Sequence, residues 1–215
     1  MGTTERIDGR IARGNQTRQL ILKRAVETAS VEGLEGLSLG RLASELKLSK
    51  SGVFALFGSK EDLQLATVRA AINVYVDVVV QPARDLPPGI GRLWRLCTGW
   101  LAYSRDRVFP GGCFFYSATA EYDAREGKVH DTLAGARTNW LAYVEQTALE
   151  ARQAGEIAEG TDVSQLAFEL VALLEMANAE SVLHNEFTSY DKAGRAILDR
   201  LRTVATDVSS LPDSV

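Results

Sequence analysis

The chain has 215 residues, 46% of them hydrophobic, with five prolines, enough for one compact body with or without a small head. Its net charge of −4 argues against a uniform nucleic-acid surface, but residues 1–60 hold 10 Lys/Arg against 6 Asp/Glu while residues 61–215 hold 14 against 22, so a basic head on an acidic body can meet phosphates at one end. The longest near-unbroken apolar run, Val74 to Val80, is broken by Asp77 and far shorter than the ~20 residues a bilayer needs, and Met1 to Arg13 has no apolar segment, which together exclude a membrane partner and export and predict a cytoplasmic protein.

Residues 1–16 carry Arg6, Arg10 and Arg13 among glycines with no apolar period, and read as a flexible basic arm. From Thr17, a plausible cap, Leu20, Ile21, Ala25, Val26 and Ala29 recur at helical spacing up to Gly33. Arg18, Lys23 and Arg24 fall on the opposite, wet face of that helix. Ser38 caps a short helix from Leu39 to Leu46, Lys47-Leu48 make a turn, and Ser49 caps a second from Lys50 to Leu56. Ser59, with Asp62 three residues on, opens a long helix in a capping-box pattern. Further helices are predicted near 90–106, 112–123, 127–154, 162–186 and 190–207, separated by Pro/Gly breaks, so the fold class is all-α.

Two short helices on a three-residue turn have helix-turn-helix spacing. The second helix starts Ser49-Lys50-Ser51-Gly52, small residues with one cation and open N–H groups that favour phosphate. Many enzymes carry such a pair as scaffolding, so the spacing alone leaves DNA binding and plain structure equally open.

The run from Thr17 to Leu63 resembles the N-terminal domain of the TetR/AcrR family of bacterial regulators, through Leu37-Ser38, Leu42-Ala43, Leu48-Ser49-Lys50-Ser51 and Phe57-Gly58-Ser59-Lys60-Glu61-Asp62-Leu63. The resemblance implies a DNA-binding domain over 17–60 and an effector-binding, dimerising domain over 61–215. It implies that Ser38 and Lys60 contact phosphate, that Ser49, Lys50, Ser51 and Gly52 front a recognition helix, and that Phe54 and Ala55 stand where two tyrosines are usual. Both tyrosine hydroxyls are absent here, Leu56 replaces a frequent histidine, and Lys47 holds a turn position where glycine is common, at a cost of roughly 1–2 kcal/mol if left-handed. These departures shift weight to Arg10 and Arg13 as backbone or minor-groove contacts. For Phe54 and Phe57 the competing role is core packing, and for Lys60 a solvated helix start.

Residues 162–186 are apolar on nearly every side and 190–207 carry a stripe of Ala193, Ile197, Leu201 and Val204. In the resembling family the last two helices form a four-helix dimer interface, which implies a homodimer through residues 162–207. Trp94, Trp100, Phe115, Trp140 and Tyr143, with Glu175 and Asn178, either fill the core or line a cavity for a small apolar or aromatic effector. Cys97 and Cys113 sit in apolar stretches as reduced, buried thiols. His130 and His184 lie far apart, no metal-ligand spacing, phosphate loop or nucleophile elbow occurs, and Glu121 and Asp123 read as solvated, so neither catalysis nor a cofactor or metal is expected. The reading is a repressor released by its effector from a pseudo-palindromic operator; the alternatives are a helical adaptor or small-molecule-binding protein without DNA binding, and an enzyme.

Overall fold

The computed structural model describes the backbone of residues 2–214 and the side chains of residues 14–214. Among the described residues nine α-helices follow one another: α1 (Gly2–Glu32), α2 (Leu39–Glu45), α3 (Lys50–Phe57), α4 (Lys60–Arg84), α5 (Ile90–Arg105), α6 (Phe114–Tyr122), α7 (Lys128–Gln153), α8 (Val163–His184) and α9 (Thr188–Val204). Among the described residues there is no strand, only an isolated antiparallel bridge between Ile157 and Ala205. The all-α expectation holds. The arm does not: the backbone from Gly2 onward is helical and continuous with α1. Once a packed helix exists, each further residue adds a hydrogen bond without a new nucleus, and this outweighs the roughly 1 kcal/mol that each of Gly9 and Gly14 costs. The side chains of Arg10 and Arg13 lie outside the described residues.

The head is built by caps and a small apolar centre. Ile21, Ala25, Val26 and Ala29 of α1, Leu39, Leu42 and Ala43 of α2, and Val53 and Phe57 of α3 are buried together. Ser38 accepts from the Arg41 N–H, Ser49 from the Gly52 N–H and Ser59 from the Asp62 N–H, so all three serine caps form as their sequence contexts predict. Lys47 takes φ 55°, the left-handed turn expected of it, and Leu48 N–H reaching the Ala43 carbonyl at 2.8 Å closes the turn. Arg18 and Arg24 are not simply a wet face. Arg18 donates to the Leu56 carbonyl at 2.8 Å and stacks on Phe57, and Arg24 pairs with Glu45, so both clamp α1 onto the motif.

α4 joins head to body and has a π-turn at Val76–Val80, in which Gln81 N–H reaches back five residues to the Val76 carbonyl. Pro82 explains the shift: it has no N–H for Val78 and its ring would press on that carbonyl, so the ladder changes register just ahead of it. In a straight α-helix residues four apart drift by roughly 40° per step. The wider π-turn drifts the other way and keeps Ile72, Val76, Val80 and Arg84 on one side. By length and composition α4 could span a membrane, but more than half of its apolar window is buried inside the fold, with Leu63, Val68, Ala71 and Val79 in the core.

In the body, α8 packs against α9, α7 and α5. α8 is N-capped by Asp162, which accepts from the Ser164 and Gln165 N–H groups, and ends at Asn185 in the left-handed conformation. The helix boundaries from Lys60 onward fall within about two to three residues of those read from the sequence.

Candidate DNA interface and ligand cavity

The outer face of the helix-turn-helix is assembled by what its inner face must bury. On α3, Val53 and Phe57 point inward, which leaves Lys50, Ser51, Gly52, Phe54 and Ala55 exposed. Phe54 is therefore not a core aromatic: 49% of its surface is open, on the same helix face that begins at Lys50. Phe57, at 5%, is core. Ser38 and Ser49 are exposed, and each hydroxyl accepts a capping bond while keeping its own proton to donate. Gly52 has a steric reason: a Cβ there would stand 2.8 Å from the Ser49 hydroxyl and push it out of the cap.

Lys60 is already engaged. Its ammonium donates to the Glu35 carboxylate at 2.9 Å and to the Glu35 carbonyl at 2.6 Å. Glu35 also accepts from Tyr122 Oη at 2.7 Å and Gln64 Nε2 at 3.2 Å, and Arg125 lies 3.4 Å away. The Lys60 hydrogen bond first, then that of Tyr122, hold the Glu35 carboxyl down from 4.5 to about 2. Burial, and then the Glu35 carboxylate, push the Tyr122 phenol up.

Beside this cluster, Glu121 is not solvated as the sequence suggested. Its two carboxylate oxygens accept the Leu34 and Glu35 N–H groups at 2.7 and 2.9 Å, which would otherwise be orphaned past the end of α1. The next attachment is Gly111, whose N–H donates to Ser30 Oγ at 3.2 Å, and where a Cβ would stand 1.8 Å from the Ser30 carbonyl. Neither the Glu35 hub nor the Glu121 cap was legible from local pattern, since each joins residues more than 80 positions apart.

A cavity of about 340 Å³ lies inside the body between α4, α5, α6, α7 and α8. Of the seven residues expected to line it, Trp100, Phe115, Trp140, Tyr143 and Glu175 do. Trp94 does not: six residues before Trp100, it lies roughly 240° round α5. Asn178 does not either. It is buried behind the wall, where Oδ1 accepts from the Cys113 N–H at 2.8 Å and the Ser104 hydroxyl at 2.9 Å, tying α6 and α5 to α8. His184 faces solvent near Glu180.

Sequence reasoning missed Tyr75 and Arg84 from α4 and Arg137 from α7. Tyr75 sits edge-on to Tyr103, Phe115 and Trp140 at 5.4, 5.5 and 5.2 Å between centroids, and its buried hydroxyl has no hydrogen-bond partner among the described residues. An unsatisfied buried hydroxyl costs about 1–3 kcal/mol. Pro82 within the long apolar helix was the available signal, because it marks where α4 departs from a regular register. Burial pushes the Cys97 and Cys113 thiols up to about 12 and about 11, which keeps both protonated and unreactive.

On α8, Phe168, Ala172, Met176, Val182 and Leu183 stay exposed, Leu183 by 76%, while Leu166, Leu170 and Leu174 fill the core. α9 buries the Ala193, Ile197, Leu201 and Val204 stripe within its own chain. The apolar surface left over therefore belongs mainly to α8.

A capped helix-turn-helix with its recognition face open, tied through one long helix to a body containing an aromatic cavity, defines a DNA-binding regulator. Residues 21–67 match the family described as "Bacterial regulatory proteins, tetR family", and residues 89–197 match "Tetracyclin repressor-like, C-terminal domain". The chain belongs to the TetR family of ligand-responsive, DNA-binding transcriptional regulators, which act as dimers on operator DNA.

Solved structures share the fold at low identity. A TetR regulator from Chloroflexus aurantiacus J-10-FL is 18% identical with a TM-score of 0.83, over 90% of this chain and 98% of that one. A putative regulator from Saccharomonospora viridis in complex with choline is 20% identical with a TM-score of 0.77, over 90% and 100%. AibR in complex with isovaleryl coenzyme A and operator DNA is 17% identical with a TM-score of 0.62, over 75% and 85%. No curated protein sequence is significantly similar to the chain.

Proposed function

We propose that this regulator is a homodimeric repressor acting in the cytoplasm, released from a pseudo-palindromic operator when a small apolar or aromatic effector enters the α4–α8 cavity. The observation that carries the reading is the placement of α6. Within nine residues it supplies Phe115, Tyr116 and Thr119 to the cavity wall and Glu121 and Tyr122 to the head. A ligand that moves α6 acts directly on the loop after α1. An effector with higher affinity for the displaced state spreads the two heads away from their half-sites, about 34–36 Å or a multiple of that apart.

The DNA contacts assigned to this reading are Lys50, Ser51, Gly52 and Phe54 on the open face of α3, with the Ser38 and Ser49 hydroxyls on phosphate and Arg10 and Arg13 as backbone or groove contacts; Lys60 joins them only when it leaves Glu35. The domain division is 17–60 for the head and 61–215 for the body, with residues 2–16 continuing α1 ahead of the head. The exposed apolar residues of α8 support a dimer surface within 162–207. A non-catalytic role is favoured because the matched family is one of transcriptional regulators. Regulators of this fold have been seen with ligands as unlike as choline and isovaleryl coenzyme A, so the fold does not set the effector class.

The test is selection of bound fragments from the source genome, followed by footprinting. A single palindromic footprint that disappears with an effector from the neighbouring genes' chemistry supports the reading. A protein that retards no genomic fragment at low salt overturns it.

A further inference from the structure

We propose that the effector is a small aromatic carboxylate, with its acid group on Arg84 and its ring among Tyr75, Trp100, Phe115 and Trp140. This rests on the cavity being the effector site.

The size of the cavity sets the first limit. About 340 Å³ is near the lower end for ligand pockets and suits one or two rings rather than a long acyl chain or a nucleotide conjugate. Tyr75, set edge-to-face with both Phe115 and Trp140, gives the cavity together with them an aromatic wall of the kind a ligand ring packs against.

Charge decides between an anion and a cation. An aromatic box beside a carboxylate is the usual setting for a quaternary ammonium group. Glu175 is the one carboxylate among the described lining residues, and Arg137 takes both of its oxygens, one of them at 3.0 Å. That pair is neutral as a unit. What remains is Arg84, which has no carboxylate partner among the described residues. Its contacts are with Tyr143, through Nε to the phenol oxygen at 3.3 Å and through the guanidinium over the ring at 5.2 Å. Stacking fixes the guanidinium plane while leaving the outer N–H groups as a fork for a carboxylate. Arg84 is exposed, which puts its guanidinium at the mouth of the cavity, where it favours an entering anion over a cation.

The ring end needs no polar partner: the Tyr75 hydroxyl is closed off and has no hydrogen-bond partner among the described residues, so Tyr75 offers the ligand its ring. An acid group one short spacer from a single ring, as in cinnamate or 4-hydroxycinnamate, suits a cavity of this size.

Titration calorimetry on the full-length dimer, with 4-hydroxycinnamate, its neutral amide and choline, tests this. The expected result is that the acid binds about tenfold more tightly than the amide, that choline gives no heat, and that Arg84→Gln lowers acid binding to the level of the amide. Arg84→Lys, which keeps the charge but not the fork, should fall between. Equal binding of acid and amide, preference for choline, or no heat from any of the three overturns the proposal. If choline binds and Trp140→Ala abolishes it, the acid assignment fails while the effector cavity stands. Acid binding that survives both Trp140→Ala and Phe115→Ala overturns the cavity reading as well.

Discussion

Gly33 and Glu121 are matched to each other: a Cβ on Gly33 would stand 2.7 Å from the Glu121 carboxylate, which sits there to cap the Leu34 and Glu35 N–H groups. Gly33 also has φ +79°, so Gly33→Ala combines left-handed strain of roughly 1–2 kcal/mol with displacement of the cap. Glu121→Ala leaves two backbone donors without their partner, at about 1–3 kcal/mol. Both should lower the midpoint of urea unfolding. If α6 transmits the effector signal, Glu121→Ala should also bind effector normally in calorimetry yet release DNA poorly in a gel shift. Full release by the variant would remove Glu121 from the transmission route.

Glu35 gives the acid limb of stability. Its carboxyl is depressed to about 2 from 4.5, chiefly by Lys60, so its contribution is fully present above about 4.5 and is lost as pH falls through about 2. Nearly half of the side chain is exposed, so solvent screens the pair and the contribution is modest. Glu35→Gln should flatten the thermal midpoint against pH between about 5 and 2 relative to the parent. A curve parallel to the parent's would show that other carboxylates govern that limb.

The same pair bears on DNA affinity. While Glu35 holds Lys60, that lysine is not available to displace counterions from phosphate. Glu35→Gln releases it and should steepen the slope of log K against log salt by up to about one unit. Lys60→Ala should change the slope little in the parent and remove the added slope in the Glu35→Gln background. Lys50→Ala, on the open face of α3, should reduce the slope by about one if it meets phosphate, or relax sequence preference if it meets a base edge. A Lys60→Ala loss as large as that of Lys50→Ala would mean the Glu35 pair opens on DNA.

Local chemistry was well read from the sequence and long-range pairing was not. Ser38, Ser49 and Ser59 cap because a serine before an apolar helix start has a nearby N–H to satisfy, and Lys47 turns left-handed because the motif geometry demands it. Four cavity residues were found because aromatics crowded one region, and Glu175 because it is polar on an otherwise apolar helix. Trp94 and Asn178 failed because helix phase, rather than residue type, decides which side a side chain takes, and that phase is set by packing among α5, α6 and α8. Arg84 was hidden by the π-turn, which changes the phase of everything after Val76. Glu121, Gly111 and the Tyr122 side of the Glu35 hub were beyond reach because those pairings cross between the two domains.

The exposed face of α8 makes the last prediction. Phe168, Met176 and Leu183 are 62%, 60% and 76% exposed on one helix, an apolar surface that a lone copy would leave in water. Each side chain buried against a second copy contributes about 1.5–3 kcal/mol, and a charge placed among them must be desolvated without a partner. Met176→Asp should therefore convert the dimer to monomer by light scattering at micromolar concentration. Circular dichroism should be little changed, because Met176 touches solvent rather than the core of its own chain. A monomer has one recognition helix and cannot span two half-sites, so operator affinity should fall by orders of magnitude toward the nonspecific level. A Met176→Asp protein that remains dimeric would move the interface away from the middle of α8, toward α9 or the end near Leu183.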